Sequence, residues 1–149
     1  MKKELQDKLY KKYPKLYAQK DLDMKQTAMC WGIACGDGWY NIIDNLSQVI
    51  QDRADWLNGE GYHEYRGLPE DHIKVPVEAV QVKEKYGGLR FYTNYSDSYI
   101  DGAISLAESL SLKTCETCGN LGEVNEGGWR MTRCESCKGK PSWQKITIK

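Results

Sequence analysis

Apolar residues recur at helical spacing in three stretches of the chain and alternate in a fourth. In the first stretch Leu5, Leu9, Tyr13 and Leu16 follow one another at three- to four-residue steps among lysines, which predicts an amphipathic helix ended at or just after Pro14. From Asp37 onward apolar residues stand at 39, 42, 43, 46, 49, 50, 54 and 57, an i, i+3, i+4 pattern held for five turns. Asp37 is placed to cap the free N–H groups of that helix, and Gly59 to close it in a left-handed conformation. Residues 60–75 combine Gly, Pro and charges and read as a loop. Residues 77–95 alternate around Val80 and Val82, break at Gly87-Gly88 and resume with Leu89, Phe91 and Thr93, the pattern of a β-hairpin. Ser98 and Asp101 open a last helix whose Ile100, Ile104, Ala107 and Leu110 share one face up to about Leu112.

These elements predict the α+β class: a long amphipathic helix and a β-hairpin with flanking helices over residues 1–113, then a small C-terminal zinc ribbon and tail over 114–149. The ribbon rests on Cys115-x2-Cys118, fifteen residues, then Cys134-x2-Cys137. Two residues between thiolates let a tight turn aim both sulfurs at one ion, and the intervening excursion is long enough to bring the second pair back and complete a tetrahedron. Gly119 and Gly139 suit the close turns of such knuckles, and Trp129, Met131 and Thr132 can form a returning strand. Four cysteines close the coordination shell, so the expected ion is one structural Zn2+ with no position for substrate. Two disulfides or four free thiols are the competing readings.

Composition narrows the setting. No run approaches the roughly 18 apolar residues of a membrane span, and the N-terminal segment has no apolar core of a secretory signal, so a cytoplasmic protein is expected. In a reducing compartment six cysteines are metal ligands or free thiols more often than a disulfide framework. Lys plus Arg equals Asp plus Glu at 21 each, which denies the whole molecule the positive field that drives non-specific nucleic-acid binding. The charge is unevenly spread: residues 1–20 carry seven lysines against two acids, and residues 21–72 carry ten acids against three bases. That asymmetry predicts a basic first helix lying across an acidic body, with a basic arm for a partner as the alternative. Five Trp and ten Tyr against one Phe supply apolar surface with polar tips, suited to interfaces and wet pockets as well as cores.

Other residues could carry chemistry. Cys30 and Cys35 are buried apolar residues, a thiol at Cys35 activated by a helix N-terminus, or, with His63 or His72, a second metal site. Gly36, Asp37 and Gly38 precede a helix whose N–H groups could receive an anion. Bases interleaved with aromatics on the hairpin, Lys83, Lys85, Arg90, Tyr92 and Tyr95, form a solvated face or suit a nucleotide or acidic partner. In the ribbon Glu116, Glu123, Glu126 and Glu135 balance Arg130, Arg133, Lys138 and Lys140, leaving Arg130, Arg133 and Trp129 as the one local patch for phosphate.

The segments CGDGWYNIID, VKEKYGGLRFYTNYSD and CETCGNLGEVNEGGWRMTRCESC together resemble a family of small uncharacterised bacteriophage and prophage proteins, over roughly residues 30 to 138. The resemblance implies a phage accessory protein working in a bacterial cytoplasm and transfers no reaction to any position. Three function classes follow. The first is a non-enzymatic protein that binds a host component to blunt antiviral defence, the bound entity being a host protein or a nucleotide-like signal. Its candidate ligand-binding residues are Trp31, Asp37, Trp39, Lys83, Lys85, Arg90, Tyr92 and Trp129, since bases contact phosphates while aromatic faces stack on rings. The second is a nucleic-acid-binding zinc-ribbon regulator; the third is a small nucleotide-processing enzyme using Asp37 and Asp44, or Cys35.

Overall fold

A computed structural model of the chain describes residues 1–59, 66–67 and 75–139. Most of the loop expected at 60–75, both histidines and the C-terminal tail lie outside the described residues. The class is α+β, as the periodicities predict. Helix α1 spans Lys3–Lys12, α2 Tyr40–Leu57 and α3 Ser98–Ser111, with short 3-10 turns at Ala18–Asp21, Ala28–Trp31 and Asp37–Trp39. Strands β1 (Ile33–Ala34), β2 (Ala79–Lys85) and β3 (Gly88–Thr93) form one sheet in that order, and β4 (Glu123–Val124) pairs with β5 (Thr132–Arg133) in the ribbon.

The periods mark the buried faces of α2 and the hairpin; on α3 Ile100 and Ala107 are buried, but Leu110, expected on the same face, is exposed. On α2, Ile43, Leu46, Ile50 and Ala54 are buried, and the helix packs along α3, which itself lies on β3. Val82, Leu89 and Phe91 face the same core, joined by Leu9, Tyr13, Leu16 and Tyr17 from the N-terminal segment. Tyrosine contributes here as its dual chemistry allows: the Tyr17 ring meets Phe91 edge-on at 6.4 Å, and its hydroxyl lies 2.8 Å from Ser47 Oγ inside the core. The edge N–H of Leu89 on β3 donates to Ser111 Oγ of α3 at 2.8 Å, so the helix covers that part of the strand edge.

The basic first segment does lie across an acidic body. Lys12 pairs with Asp44 at 2.9 Å, Lys15 with Asp55 at 2.8 Å, and Tyr13 donates to Asp44 Oδ1 at 2.8 Å. No helix among the described residues is long and apolar enough to cross a membrane.

Three local expectations are corrected. Asp37 does not cap the helix it precedes; its carboxylate accepts the Lys2 backbone N–H at 2.6 Å and pairs with Lys2 Nζ at 3.5 Å, tying α1 to the entrance of α2. Gly59 is not left-handed: α2 ends at Asn58, whose side chain donates to Ala54 O at 2.8 Å and accepts the Val75 N–H at 2.9 Å. The hairpin turns one residue earlier than its paired glycines imply. Lys85 pairs with Gly88, and the loop is Tyr86-Gly87 with φ of 53° and 80°, the two positive angles of a type I′ turn. Strand β1, parallel to β2 through Ile33↔Val82, is too short to leave a pattern in sequence.

Candidate metal centre and the surfaces around it

Cys115 and Cys118 sit in a turn that follows α3, and Cys134 and Cys137 in a second turn after β5. Each turn is closed by backbone bonds, Gly119 N–H to Cys115 O at 2.9 Å and Lys138 N–H to Cys134 O at 3.0 Å. The glycines that follow, Gly119 and Gly139, have φ of 80° and 76°, where a β-carbon is disfavoured. The pairing of β4 with β5 brings the two turns together.

The donor set fits a tetrahedral ion. Four metal–sulfur bonds of about 2.3 Å place the sulfurs roughly 3.8 Å apart. Here the four Sγ atoms all lie within 4.8 Å of one another, with Cys118 and Cys134 at 3.5 Å. None of the cysteines is in a disulfide. Burial opposes ionisation of Cys115, but backbone N–H groups of Cys134, Cys118 and Thr117 outweigh it and bring the thiol down to about 6. Burial and then the neighbouring thiols push Cys137 the other way, up to about 12. Four adjacent sulfurs cannot all become thiolates by themselves, whereas a divalent cation among them removes that conflict.

Residues on both sides of position 113/114 lock the metal turns to the body. Gly38 N–H donates to Glu116 O and Gly36 N–H to Glu116 Oε1, each at 2.8 Å, and Trp39 Nε1–H donates to Thr114 O at 2.8 Å. Thr132 Oγ1–H reaches the hairpin at Gly87 O, 2.6 Å away. Both N–H groups expected to receive an anion are therefore taken internally by Glu116, Gly36 by its carboxylate and Gly38 by its main-chain carbonyl. Burial holds that carboxyl above its ordinary value, against the opposing pull of the Gly36 N–H. Nothing in the ribbon's composition distinguished Glu116 from its three fellow glutamates; only its place between the cysteines of the first pair hinted at a fixed position.

The ligand-binding candidates separate into four places. Trp39 is wholly buried and hydrogen-bonded, and Asp37 is engaged by Lys2, so both serve the fold. Trp31 is exposed beside α1, in a depression also lined by Lys3, Tyr10 and Lys20. The cross-strand pairs Lys83↔Arg90 and Gln81↔Tyr92 put Lys83, Lys85, Arg90 and Tyr92 on one face of the hairpin, where Arg90 lies 3.5 Å from Glu108. Trp129 is exposed at the hairpin tip, next to Lys85 and Tyr86.

Other candidates are altered by their surroundings. Arg133 is buried and donates to Cys137 O at 3.3 Å, which removes it from the phosphate patch expected with Arg130 and Trp129. Cys35 is buried, and burial pushes its thiol up to about 12, the opposite of an activated nucleophile. Cys30 is half-buried and its Sγ–H donates to Thr27 O at 3.2 Å; the histidines proposed to join this pair in a second metal site lie outside the described residues. Asp44 is held by Lys12 and Tyr13.

Compared with known proteins, the chain matches no family model, no curated protein and no solved structure.

Proposed function

We propose that Cys115, Cys118, Cys134 and Cys137 hold one structural Zn2+, and that the chain is a non-enzymatic phage accessory protein that binds a host component. In this reading it captures a nucleotide-like signal or a host protein and so blunts antiviral defence from within the bacterial cytoplasm. The observation that carries it is a closed shell of four sulfurs, hydrogen-bonded into the body of the protein, beside an exposed face of bases and aromatics. A full shell supplies rigidity and leaves no position for a reacting group. The carboxylates considered for catalysis, Asp37 and Asp44, are engaged by lysines, and the considered thiol is buried. Surfaces rich in exposed aromatic rings with cations suit recognition more than turnover.

Native mass spectrometry of protein purified from bacterial cells tests both halves. It should show one zinc per chain and any ligand that purifies with the protein. Visible absorption would identify iron instead, since a tetrahedral set of four sulfurs also accepts that metal. Thermal-shift titration with nucleotides and cyclic dinucleotides should raise the melting midpoint for the captured class. Conversion of those nucleotides on long incubation would reject the non-enzymatic reading.

A further inference from the structure

The tip of the hairpin and the ribbon loop enclose a cleft lined by Glu84, Lys85, Tyr86, Gly128, Trp129 and Arg130. Two aromatic rings meet solvent there, Tyr86 at 70% and Trp129 at 78% exposure. Both are held in place. Asn125 Nδ2–H donates to Gly127 O at 3.1 Å and Trp129 O at 3.0 Å, and its Oδ1 accepts the Met131 N–H at 2.6 Å, so one side chain pins the loop that carries Trp129. Tyr86 occupies a left-handed backbone position, φ 53°, that glycine would fill freely and that disfavours a residue with a β-carbon. Packing inside the protein does not explain a tyrosine there, because its ring stands in water.

The two walls are joined beneath the cleft. Thr132 Oγ1–H bonds Gly87 O at 2.6 Å, and a β-carbon on Gly87 would lie 3.2 Å from Val124 Cγ1, so turn and ribbon are in close contact. Lys85 and Arg130 bring two cations to the rim, and among the described residues neither has an acidic partner. Lys85 Nζ lies 5.3 Å from the centroid of the Tyr86 ring. The one acid in the lining, Glu84, accepts the Gly87 N–H at 2.6 Å. The depression beside Trp31 is less free: Lys3 pairs with Asp7 at 2.7 Å, and Lys20 with Asp21.

We propose that this cleft is the binding site for a phosphate-bearing nucleobase, a mononucleotide or cyclic dinucleotide, with the base against Trp129 and Tyr86 and the phosphate at Lys85 and Arg130. The proposal rests on the nucleotide-capturing form of the function above and adds its place, its residues and one participant with no role in the sequence analysis, Tyr86, while Arg130 and Trp129 come from the patch expected there for phosphate. Aromatic faces stack on bases, and a guanidinium with an ammonium matches a phosphate. A cleft of six residues fits one nucleotide, and equal totals of 21 acidic and 21 basic residues give no field to hold a long polyanion.

The test is calorimetric titration of the zinc-loaded full chain with AMP, GMP, cyclic di-AMP and cyclic di-GMP. Adenosine serves as the phosphate-free control and a ten-residue oligothymidylate as the strand control. At least one nucleotide should bind, more tightly than adenosine or the oligonucleotide. Trp129→Ala and Tyr86→Gly should each weaken it roughly 5- to 100-fold. Arg130→Met, which leaves Lys85 in place, should reduce the preference for nucleotide over nucleoside. Tyr86→Gly is the informative variant, since glycine suits that turn and its melting midpoint should hold or rise while affinity falls. A nucleotide that binds the wild type and all three variants equally would overturn the site while leaving the nucleotide function standing. No binding by any nucleotide would overturn both this site and the nucleotide-capturing form of the function, leaving capture of a host protein, and tighter binding of the oligonucleotide would replace the nucleotide with a single strand.

Discussion

Gly38 is where the metal turn and the start of α2 meet with least room. A β-carbon there would stand 2.2 Å from Cys115 O, 2.5 Å from Gly119 N and 2.8 Å from Cys118 N. All three are backbone atoms, so no side chain can swing aside. The requirement is for space alone, because Gly38 is not among the residues at positive φ. Carbon contacts settle near roughly 3.5 Å, so Gly38→Ala must drive the turn and the helix entrance apart by about 1 Å. Three bonds cross that seam at 2.8 Å: Gly38 N–H and Gly36 N–H to Glu116, and Trp39 Nε1–H to Thr114 O. Overpacking costs about 1–3 kcal/mol and each of the three weakened hydrogen bonds about 0.5–1.5 kcal/mol, for a total of roughly 2.5–7.5 kcal/mol. Domains of this size are stable by about 5–15 kcal/mol, and each kcal/mol moves the midpoint by about 2–4 °C, so the melting temperature should fall by roughly 5–30 °C. Gly102→Ala in α3 is the matched control. Nothing lies within 4 Å of its added β-carbon, and alanine in a helix should stabilise by about 0.5–1 kcal/mol. Thermal unfolding followed by circular dichroism, with metal release read by a chromophoric chelator, measures both. A Gly38→Ala protein that melts within about 2 °C of wild type and releases metal no faster would refute the proposed seam.

Trp39→Phe keeps a buried aromatic ring but removes the pyrrole part of the indole with its bond to Thr114 O, and should cost about 2–4 kcal/mol in urea unfolding; an unchanged midpoint would mean that neither that bond nor the packing of the indole holds the ribbon there. Asp97 caps α3 through the Ile100 N–H at 3.0 Å and pairs with Arg53 at 2.6 Å. Burial alone would raise its carboxyl, but the Ile100 N–H and the Arg53 guanidinium outweigh that and hold it below the ordinary value. Its stabilisation is therefore complete above the unfolded carboxylate's titration near about pH 4 and is lost as pH falls through the lower folded value. Asp97→Ala should accordingly lose about 1–3 kcal/mol at neutral pH and converge on wild type near about pH 2, as denaturant melts across that range would show. Cys35, with its thiol raised by burial, should stay unmodified in zinc-loaded native protein exposed to iodoacetamide while the half-buried Cys30 reacts, and peptide mapping would reveal the reverse.

Local chemistry made much of the molecule readable. The 3.6-residue period of α2 and α3, the alternation around Val82 and Phe91, and the two Cys-x2-Cys pairs each encode their outcome within a few residues, and each recurs in the structure. The charge asymmetry was also legible, because lysines concentrated on one short segment need acids elsewhere, and Asp44 and Asp55 answer them. Sequence could not separate residues of one type by burial. Trp39 and Trp31 stand eight positions apart, yet one is at 0% exposure and the other at 69%. Arg130 and Arg133 divide likewise, one exposed on the ribbon loop and one buried against Cys137 O. These fates depend on partners distant along the chain, and irregular segments such as 27–39 and 125–131 carry no period to announce them. Glu116 met Gly36, Asp37 went to Lys2, and the hairpin tip settled on the ribbon only when the whole chain packed. Period and spacing thus determined the long elements and which four cysteines could hold a metal, since both act over a few residues. The tertiary structure alone decided which aromatics and cations face solvent together, because that depends on long-range packing.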